Sequence, residues 1–430
     1  MDKSMNQYKQ RIADKLLKEK LEGIGAVLIE GPKWCGKTTT AEQQAQSILY
    51  MDSPKDRKQN LQAADIDPEL LLTGATPRLI DEWQLAPQLW DAIRFTVDHR
   101  NEEGQFILTG SSVPFNAEEN ETISHTGTGR IARLRMRPMS LWESGEANGA
   151  VSLGELFTHG KVVATAHLNI NDIAYLVCRG GWPRATLQNR AVSLGRAYDY
   201  YDAVVNMDIR RVDEVARNPE RVKLLMRSYA RSQGTQTSFT AICEDMKNND
   251  NSTLDDRTIY AYINALKKIF AIEDMAAWNP NLRSKTAIRT SDTRYFIDPS
   301  IAVAALGLGP DDLIADLNTF GLLFECLCVR DLRIFADALG GSVYHYRDKD
   351  GLECDAVVHL RNGSYGLIEI KLGGDRLVEE GAGTLTTLAK KIDTDKMKAP
   401  SFLMVLTGTG QYAFRRADGV FVVPIGCLKD

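Results

Sequence analysis

The chain has 430 residues, 43% of them hydrophobic and 25% charged, and its 52 basic and 57 acidic side chains give a formal net charge of −5. This length predicts two to four domains of roughly 100–200 residues each, and the composition is ordinary for a globular protein. The acidic balance excludes a general binder of polyanions, so any contact with nucleic acid requires a local basic patch.

The sequence carries no signal for a membrane or for secretion. No apolar run reaches the roughly 20 residues that span a bilayer, and the polar N-terminus lacks the apolar core of a signal peptide. It predicts an amphipathic helix instead, with Ile12, Leu16, Leu17 and Leu21 on one face. The seven cysteines have no zinc-finger spacing, which indicates buried, reduced thiols in a cytoplasmic protein.

Strands and helices alternate over the first third of the chain. A buried strand at 26–30 is followed by a loop at 31–37 and by a helix from Thr38 to about Ser47. A strand at 80–83, a helix at 88–97 and a strand at 105–108 come next. This pattern predicts a parallel sheet covered on both faces, and it continues to about Trp142.

The loop from Gly31 to Thr38 matches the pattern G-x-x-x-x-G-K-[ST], between a strand and a helix as that pattern requires. Its backbone N–H groups and the helix N-terminus attract phosphate. Lys37 is expected to reach the β- and γ-phosphates, and the Thr38 hydroxyl is expected to bind Mg²⁺. ATP and Mg²⁺ are therefore the predicted cofactors. The predicted cradle comprises Gly31, Pro32, Lys33, Trp34, Cys35, Gly36, Lys37, Thr38 and Thr39.

Acidic and hydroxyl side chains follow the next two strands. Asp81 is predicted to complete the Mg²⁺ shell, and Glu82 is predicted to polarise the attacking water. Thr109 and Ser111 end the following strand, where a residue that senses the γ-phosphate belongs. The alternative for these two hydroxyls is a helix cap or a turn.

An arginine run begins at Arg130 and continues with Arg133, Arg135 and Arg137. The last three share one face of a strand, because side chains alternate along a strand. Arg130 is the candidate for an arginine finger supplied to a neighbouring subunit, which predicts a homo-oligomer. The alternative is a solvated or salt-bridged strand edge.

The segments GPKWCGKTT, LIDEWQLAP, FILTGSS and GRIARLRMRPMSLWESGE resemble a prokaryotic branch of the AAA+ superfamily of ATPases. In that branch the ATPase is fused to a C-terminal domain of unknown function. The resemblance covers the first 150 residues closely and extends through GGWP near 180 to about 375. It implies an α/β ATPase core, a helical lid and ATP hydrolysis. Arg184, just after GGWP, is the nearest candidate for a second sensor arginine.

The middle of the chain divides into two patterns. Residues 151–235 are helical and predict a lid or connector. Residues 236–300 show a helix at 239–246, a polar turn, a second helix and extended segments at 271–278 and 293–297, which is winged-helix order. Such a module either contacts DNA phosphates or packs against protein. The candidate phosphate contacts are Arg257, Tyr260, Lys267 and Lys268.

Residues 311–430 predict a long helix at 317–338 and a β-meander at 342–347, 352–360 and 365–371. A helix near 384–392 and strands at 401–407 and 420–424 follow. Glu325 in the helix, Asp355 in one strand and Glu369 with Lys371 in the next resemble the PD-(D/E)xK restriction-endonuclease-like core. The alternative is a nuclease-like core that only binds DNA or protein.

The roles of these four residues follow from their chemistry. Asp355 and Glu369 supply the oxygen ligands that Mg²⁺ accepts, which predicts a second metal site completed by Glu325. Lys371 shares a strand face with Glu369 and is predicted to stabilise developing charge or to orient water.

The complete prediction is an α/β chain with a P-loop NTPase parallel sheet of the AAA type. The predicted domains are 1–150 (ATP binding), 151–235 (helical lid), 236–300 (winged helix) and 311–430 (α+β, restriction-endonuclease-like). The leading hypothesis is an ATPase whose hydrolysis of Mg-ATP drives or gates a module that binds double-stranded DNA. The alternatives are an ATP-dependent regulatory or scaffold protein that binds protein partners without DNA, and an ATP-gated nuclease. No membrane contact is predicted.

Overall fold

A computed structural model describes most of the chain, and its described residues are 8–111, 127–158, 160, 162–210, 217–249, 255–279 and 291–430. The chain forms two compact units, the first built on Met1–Pro138 with Lys268–Phe270 and the second on Met139–Arg210, Ala216–Lys267 and Ala271–Asp430. In the described ranges no helix is long and apolar enough to cross a membrane. The seven cysteines are buried and free, as predicted.

The first unit alternates helices and strands along the chain. Its elements are α1 (Ile12–Leu21), β1 (Ala26–Glu30), α2 (Lys37–Glu42), β2 (Ser47–Tyr50), α3 (Arg57–Ile66), β3 (Arg78–Asp81), α4 (Leu89–Arg100), β4 (Phe106–Gly110) and β5 (Ile131–Arg135). The strands form one sheet in the order β2-β3-β4-β1-β5, and every pairing is parallel. The predicted parallel α/β architecture is therefore confirmed.

The predicted helix from Thr38 to Ser47 is wrong at its C-terminal end. Helix α2 stops at Glu42, and Ser47 begins the edge strand β2. The backbone of Ser47–Tyr50 pairs with β3. The chain must therefore leave the helix before Ser47, although the polar residues after Glu42 have a weak helical preference.

Each face of the first sheet has its own core. Successive residues of β1 point to opposite faces, so that Leu28 joins one hydrophobic cluster and Val27 joins the other. Helices α3 and α4 cover the first face, and α1 and α2 cover the second. Full burial of one such aliphatic side chain contributes roughly 1.5–3 kcal/mol, which explains why β1 is apolar from Ala26 to Ile29 and β4 from Phe106 to Leu108.

The second unit begins with short elements and a set of helices. These are α5 (Leu141–Ser144), β6 (Val151–Ser152), α6 (Leu153–Leu156), β7 (Ala164–Thr165), α7 (Ile170–Arg179), α8 (Arg190–Asn206), α9 (Pro219–Arg231), α10 (Phe239–Asn249), α11 (Asp256–Lys268), α12 (Pro299–Leu306) and α13 (Pro310–Ala315). After α11, the strands predicted at 271–278 and 293–297 reduce to isolated bridges, which are antiparallel for Ile272 with Phe296 and Met275 with Thr293 and parallel for Ala277 with His345. The winged-helix assignment stays a prediction.

The GGWP segment is held inside the second unit by a buried polar network. The Gly181 N–H donates to Asp298 at 2.9 Å, and the Trp182 indole N–H donates to Ser300 at 3.0 Å. The buried Arg330 guanidinium pairs with the same Asp298 at 2.8 Å. A buried charge is tolerated when it is paired and hydrogen-bonded, so this segment has a structural role.

The second unit ends in a helix and a mixed sheet. Its elements are α14 (Leu317–Ala338), β8 (Gly341–Arg347), β9 (Glu353–Leu360), β10 (Tyr365–Lys371), α15 (Asp375–Lys391), β11 (Phe402–Thr407), β12 (Tyr412–Arg415), β13 (Phe421–Pro424) and β14 (Leu428–Lys429). The sheet order is β7-β12-β13-β11-β10-β9-β8. Strands β8, β9 and β10 pair antiparallel, as predicted for a meander, whereas β10, β11 and β13 pair parallel.

Helix α15 starts at Asp375, well before the predicted start near Thr384. Gly381 and Gly383 weaken the helical pattern in the sequence. In the structure Gly381 lies in van der Waals reach of β10 and β11, where an added Cβ would sit 3.3 Å from the Cβ of Glu369. The close approach of the helix to the sheet accounts for the glycine.

Candidate active site

The loop between β1 and α2 has the backbone of a phosphate cradle. Gly31 and Gly36 adopt φ angles of +157° and +100°, which side-chain-bearing residues rarely adopt. A Cβ on Gly31 would lie 2.1 Å from the carbonyl oxygen of Met136. Glycine is therefore required at this position by both its dihedral angle and its packing.

Lys37 extends back into this loop. Its ammonium group donates to the carbonyl oxygens of Gly31 at 3.0 Å and Pro32 at 2.7 Å, and the residue is buried. Trp34 at the tip of the loop has φ +66° and is half exposed. The lysine charge thus lies inside the turn of the loop, close to the backbone that forms the cradle.

Asp81 joins the phosphate loop to the next strand end. Its Oδ1 accepts hydrogen bonds from the Thr38 hydroxyl at 2.7 Å and from the Thr109 hydroxyl. The β3–β4 register places Asp81 directly beside Thr109. The structure therefore brings three of the predicted residues into one hydrogen-bonded group at the carboxyl edge of the sheet.

Glu82 follows β3 with φ +56° and accepts a hydrogen bond from the Gln84 amide. Burial raises the pKa of Glu82, and the nearby Lys37 charge opposes that rise. Ser111 is buried just beyond β4, and among the described residues no hydrogen bond joins it to Asp81. Glu82 thus lies within the electrostatic reach of Lys37, whereas Ser111 makes no direct contribution to the hydrogen-bonded group.

Arg130 lies away from this group within its own chain. It immediately precedes β5, whereas the phosphate loop follows the other end of β1, which pairs with β5 in parallel. Its guanidinium pairs with Asp98 at 2.6 Å. Arg133, Arg135 and Arg137 were predicted to share one strand, but β5 ends at Arg135 and Arg137 lies beyond it.

Arg133 and Arg135 share a strand face, as the sequence predicts. Both pair with Glu30 at 3.1 Å. The salt-bridged alternative therefore describes these two arginines.

Arg11 is a residue of this site that the sequence did not reveal. Its buried guanidinium donates to the carbonyl oxygens of Cys35, at 2.9 Å, and of Arg137, also at 2.9 Å. Both acceptors are main-chain atoms, which every residue type has. No residue pattern marks such a contact, so only the fold shows it.

The C-terminal residues form a second polar group on β9 and β10. The Lys371 ammonium contacts Glu369 at 2.6 Å and Asp355 at 3.0 Å. The same Asp355 oxygen accepts the Ile370 N–H at 2.7 Å. In the described part of the chain no three His, Cys, Asp or Glu side chains are arranged to hold a metal ion. The lysine bridges the two carboxylates, and their assignment as metal ligands stays a prediction.

Glu325 faces this group from α14. The Tyr295 hydroxyl donates to its Oε1, and an added Cβ on Gly234 would lie 3.2 Å from its Oε2. Burial, and then the Asp355 carboxylate, raise the pKa of Glu325 well above its ordinary value. The same two causes raise the pKa of Glu369 to about 8.

Two buried oxygens beside the lysine, Glu369 Oε1 and Thr407 Oγ1, have no hydrogen-bond partner among the described residues. The four predicted residues are thus brought together in a partly buried setting, in which Glu369 is buried and the other three are half-buried.

The candidate DNA contacts on α11 differ in availability. Lys267 pairs with Asp274 at 2.8 Å and its ammonium lies 5.1 Å from the Phe239 ring centroid. Arg257 and Tyr260 are exposed, as is Arg184 near the GGWP segment. The paired lysine is a weaker candidate for a phosphate contact than the two exposed residues.

Three family models match parts of this chain. Residues 24–144 match a model described as an AAA domain. Residues 170–312 and 320–428 match models described as domains of unknown function, DUF8612 and DUF4143. The first match includes β1 to β5 and the loop that begins at Gly31, so this part of the chain is similar to AAA domains.

Whole-chain similarities are more distant. The uncharacterized proteins Mb2031c of Mycobacterium bovis and Rv2008c of Mycobacterium tuberculosis are each 23% identical over 367 residues, which cover 84% of this chain and 74% of the relative. The Walker-type ATPase PABY2304 of Pyrococcus abyssi is 12% identical, with 68% of this chain and 94% of that chain covered at a TM-score of 0.41. The ADP form of the ORC2 protein of Aeropyrum pernix is also 12% identical, with 76% and 97% covered at 0.34.

Proposed function

We propose that this chain binds ATP with Mg²⁺ at Gly31–Thr39 and hydrolyses the bound ATP. The observation that carries the proposal is the Asp81 carboxylate, which accepts hydrogen bonds from both Thr38 and Thr109. Lys37 and Glu82 flank this group. The positive charge of Lys37 is near enough to Glu82 to lower its pKa, which opposes the effect of burial. A lysine, a hydroxyl and two carboxylates at the carboxyl edge of a parallel sheet are the components that phosphoryl transfer from ATP requires.

The residues present fit the nucleotide and the metal. The glycines at positive φ leave the loop backbone bare, so its N–H groups can approach phosphate oxygens closely. Thr38 and Asp81 supply hard oxygen atoms, which Mg²⁺ prefers, and they are already in hydrogen-bond contact. They are the residues that would hold Mg²⁺, and bound Mg²⁺ neutralises charge on the phosphate oxygens.

The remaining residues have separate roles. Lys37 exchanges its bonds to the Gly31 and Pro32 carbonyls for bonds to phosphate oxygens. Glu82 orients the attacking water and accepts its proton, because its pKa is raised by burial towards the range in which a general base is effective. Thr109 holds Asp81 in place through its hydroxyl, and Ser111 is the second sensor candidate.

Calorimetric titration with ATP and Mg²⁺, together with a phosphate-release assay, tests this proposal. Lys37→Ala is expected to weaken binding strongly, because the β- and γ-phosphate charge is no longer matched. Lys18→Ala on the exposed face of α1 is the control for a lost positive charge. Wild-type protein that binds no nucleotide would show that the proposal is wrong.

For the second unit we propose a DNA-associated module with a winged helix and a restriction-endonuclease-like core, driven or gated by the ATPase. The supporting observation is the contact of Lys371 with both Asp355 and Glu369, close to Glu325. The protein-binding scaffold and the ATP-gated nuclease are the competing functions. The ATPase rate measured with and without duplex DNA, at several salt concentrations, separates the first from the second. A homo-oligomer in the cytoplasm stays part of the proposal.

A further inference from the structure

Arg11 lies outside every nucleotide-binding pattern in this sequence, yet it contacts the phosphate loop. It precedes α1, and its N–H donates to Asp14 at 2.8 Å, which fixes the start of that helix. Its guanidinium donates to the Cys35 carbonyl and to the Arg137 carbonyl. Burying a guanidinium is costly unless it is hydrogen-bonded, and these carbonyls provide that compensation.

The contact with Cys35 has a consequence for the next residue. A peptide unit is planar and trans, so the carbonyl of one residue and the N–H of the next point in opposite directions. A guanidinium that holds the Cys35 oxygen on one side therefore fixes the Gly36 N–H on the other. We propose that Arg11 is a positioning residue of the nucleotide site, which keeps the Gly36 N–H directed at the phosphate groups. This inference rests on the proposed nucleotide binding.

The loop needs such a restraint because of its own sequence. Gly36 has φ +100° and is the N-cap of α2, and glycine rotates between backbone conformations at little cost. The peptide between Cys35 and Gly36 can therefore turn its N–H away from the cradle unless something holds it. The Cys35 thiol contacts the Met136 carbonyl oxygen at 3.7 Å. This contact holds the Cys35 side chain, but the orientation of the Cys35–Gly36 peptide depends on Arg11.

The second hydrogen bond anchors Arg11 to the sheet. Arg137 lies just beyond β5, and the Met136 N–H donates to the Glu30 carbonyl at 2.8 Å, continuing the strand pairing. The Arg11 guanidinium thus connects the end of the sheet, at Arg137, to the phosphate loop, at Cys35. The Tyr8 hydroxyl, 2.9 Å from the Thr40 hydroxyl, adds a further link between this N-terminal segment and α2.

Arg11→Met tests the role, since it keeps an unbranched apolar stem and removes both donors. The probe is ADP with Mg²⁺, titrated by calorimetry. Loss of a charged hydrogen bond that orders the loop is expected to weaken binding by roughly 10- to 100-fold. Arg100→Ala is the control, because Arg100 ends α4 and contacts Gln105, which immediately precedes β4 at the opposite edge of the sheet. Its affinity is expected to stay within about twofold of wild type.

A spectroscopic signal separates positioning from general stabilisation. The sequence contains a single Cys-Gly dipeptide, Cys35-Gly36. Protein labelled with ¹³C-carbonyl cysteine and ¹⁵N-glycine therefore gives one amide resonance in a carbonyl-edited experiment, that of Gly36. We expect this resonance to shift when ADP with Mg²⁺ saturates the wild type, and to shift far less in saturated Arg11→Met.

The outcomes are distinct. Wild type that binds no ADP overturns the proposed function. Wild type that binds, together with an Arg11→Met variant of equal affinity and equal Gly36 shift, overturns the role of Arg11 alone. Weaker binding with an unchanged Gly36 shift also overturns it, since the loss then comes from elsewhere. If Arg11→Met does not fold, Arg11→Lys is tested instead. Lysine keeps the positive charge but lacks the planar guanidinium that donates to both carbonyl oxygens. The affinity of Arg11→Lys for ADP with Mg²⁺ and the shift of its Gly36 resonance are both expected to be smaller than in the wild type. If both equal the wild-type values, Arg11 does not have the proposed role.

Discussion

The Thr38 hydroxyl donates a hydrogen bond to the Asp81 carboxylate at 2.7 Å, although 43 positions separate the two residues in the chain. The contact exists because β1 and β3 run parallel in one sheet and end at the same edge. It links the residue predicted to bind Mg²⁺ to the residue predicted to complete the metal shell, and it leads to the first prediction.

Asp81→Asn is expected to weaken the binding of ATP with Mg²⁺ by roughly 10- to 100-fold, because a neutral amide is a poor Mg²⁺ ligand. Affinity for ATP in excess EDTA is expected to change much less. Calorimetric titrations under both conditions give the comparison, with Asp98→Asn as the control at the opposite edge of the sheet. An equal loss with and without Mg²⁺ would remove Asp81 from the metal shell.

Glu82→Gln is expected to bind ATP with nearly wild-type affinity and to hydrolyse it about 10²- to 10⁴-fold more slowly. The amide has the size of the carboxylate but cannot accept a proton from water. Phosphate release under saturating ATP measures the effect, and Glu102→Gln on the exposed turn before β4 is the control. Hydrolysis at the parent rate would assign the base to another residue.

Arg130→Ala is expected to abolish hydrolysis while ATP still binds, if Arg130 reaches the site of a neighbouring subunit. Wild-type activity per chain should then rise with protein concentration. Mixing Arg130→Ala with Lys37→Ala chains should restore some activity, because a mixed interface combines an intact loop with an intact arginine. Asp98→Ala removes the partner of Arg130 in its own chain and serves as the control. A concentration-independent rate from a strict monomer contradicts the prediction.

His345 predicts a pH dependence of stability in the second unit. It is buried on β8, Gln236 lies 3.2 Å from its Nδ1, and its Nε2 has no partner among the described residues. Burial lowers the pKa of His345, so the unfolded chain binds a proton that the folded chain excludes. Its contribution to stability is present above the ordinary histidine pKa of about 6.5 and is lost as pH falls below it.

His345→Asn keeps an acceptor near the Nδ1 position and cannot titrate. Urea titrations of both proteins between pH 5 and 8 are expected to show a smaller loss of unfolding free energy at low pH in the variant. His359 on β9 also has a pKa lowered by burial, so part of the slope should persist. Identical slopes would mean that His345 does not cause the dependence.

Asp355→Ala distinguishes cleavage from binding at the C-terminal group. If the group is a nuclease site, the wild type cuts DNA with Mg²⁺ or Mn²⁺, and the variant stops cutting while ATP hydrolysis continues. If the group only binds, the variant gains DNA affinity, because a negative charge next to Lys371 is removed. Asp350→Ala, an exposed partner of Lys391, is the matched control. Cutting that persists unchanged in Asp355→Ala would leave the group without a catalytic role.

The sequence predicted elements best where periodicity and burial agree. Helix α14 has the predicted bounds, Leu317–Ala338, and β10 has the predicted bounds, Tyr365–Lys371. Strand β12 had no signal, because only Ala413 of its residues is buried. Its position depends on pairing with β13 and β7, which a local pattern does not encode.

The candidate sites show the same difference between residues that follow a local sequence pattern and residues whose position depends on distant parts of the chain. Lys37, Thr38 and Asp81 occupy fixed positions in a pattern of side chains, so the sequence alone makes them candidates, and the structure places Thr38 in contact with Asp81. Whether Arg130 reaches an ATP site depends on a neighbouring subunit and stays a prediction. Arg11 acts through backbone carbonyls that lie 24 and 126 positions away, and no spacing rule covers such a contact.

The buried cysteines make this chain convenient for chemical labelling. Reaction with maleimide or iodoacetamide requires an accessible thiolate, and all seven native thiols are shielded in the fold. A cysteine introduced at an exposed position, such as Glu102→Cys, is therefore expected to react far faster than any native thiol. A fluorophore can be attached there without replacing Cys35, so the sequence of the phosphate loop stays intact.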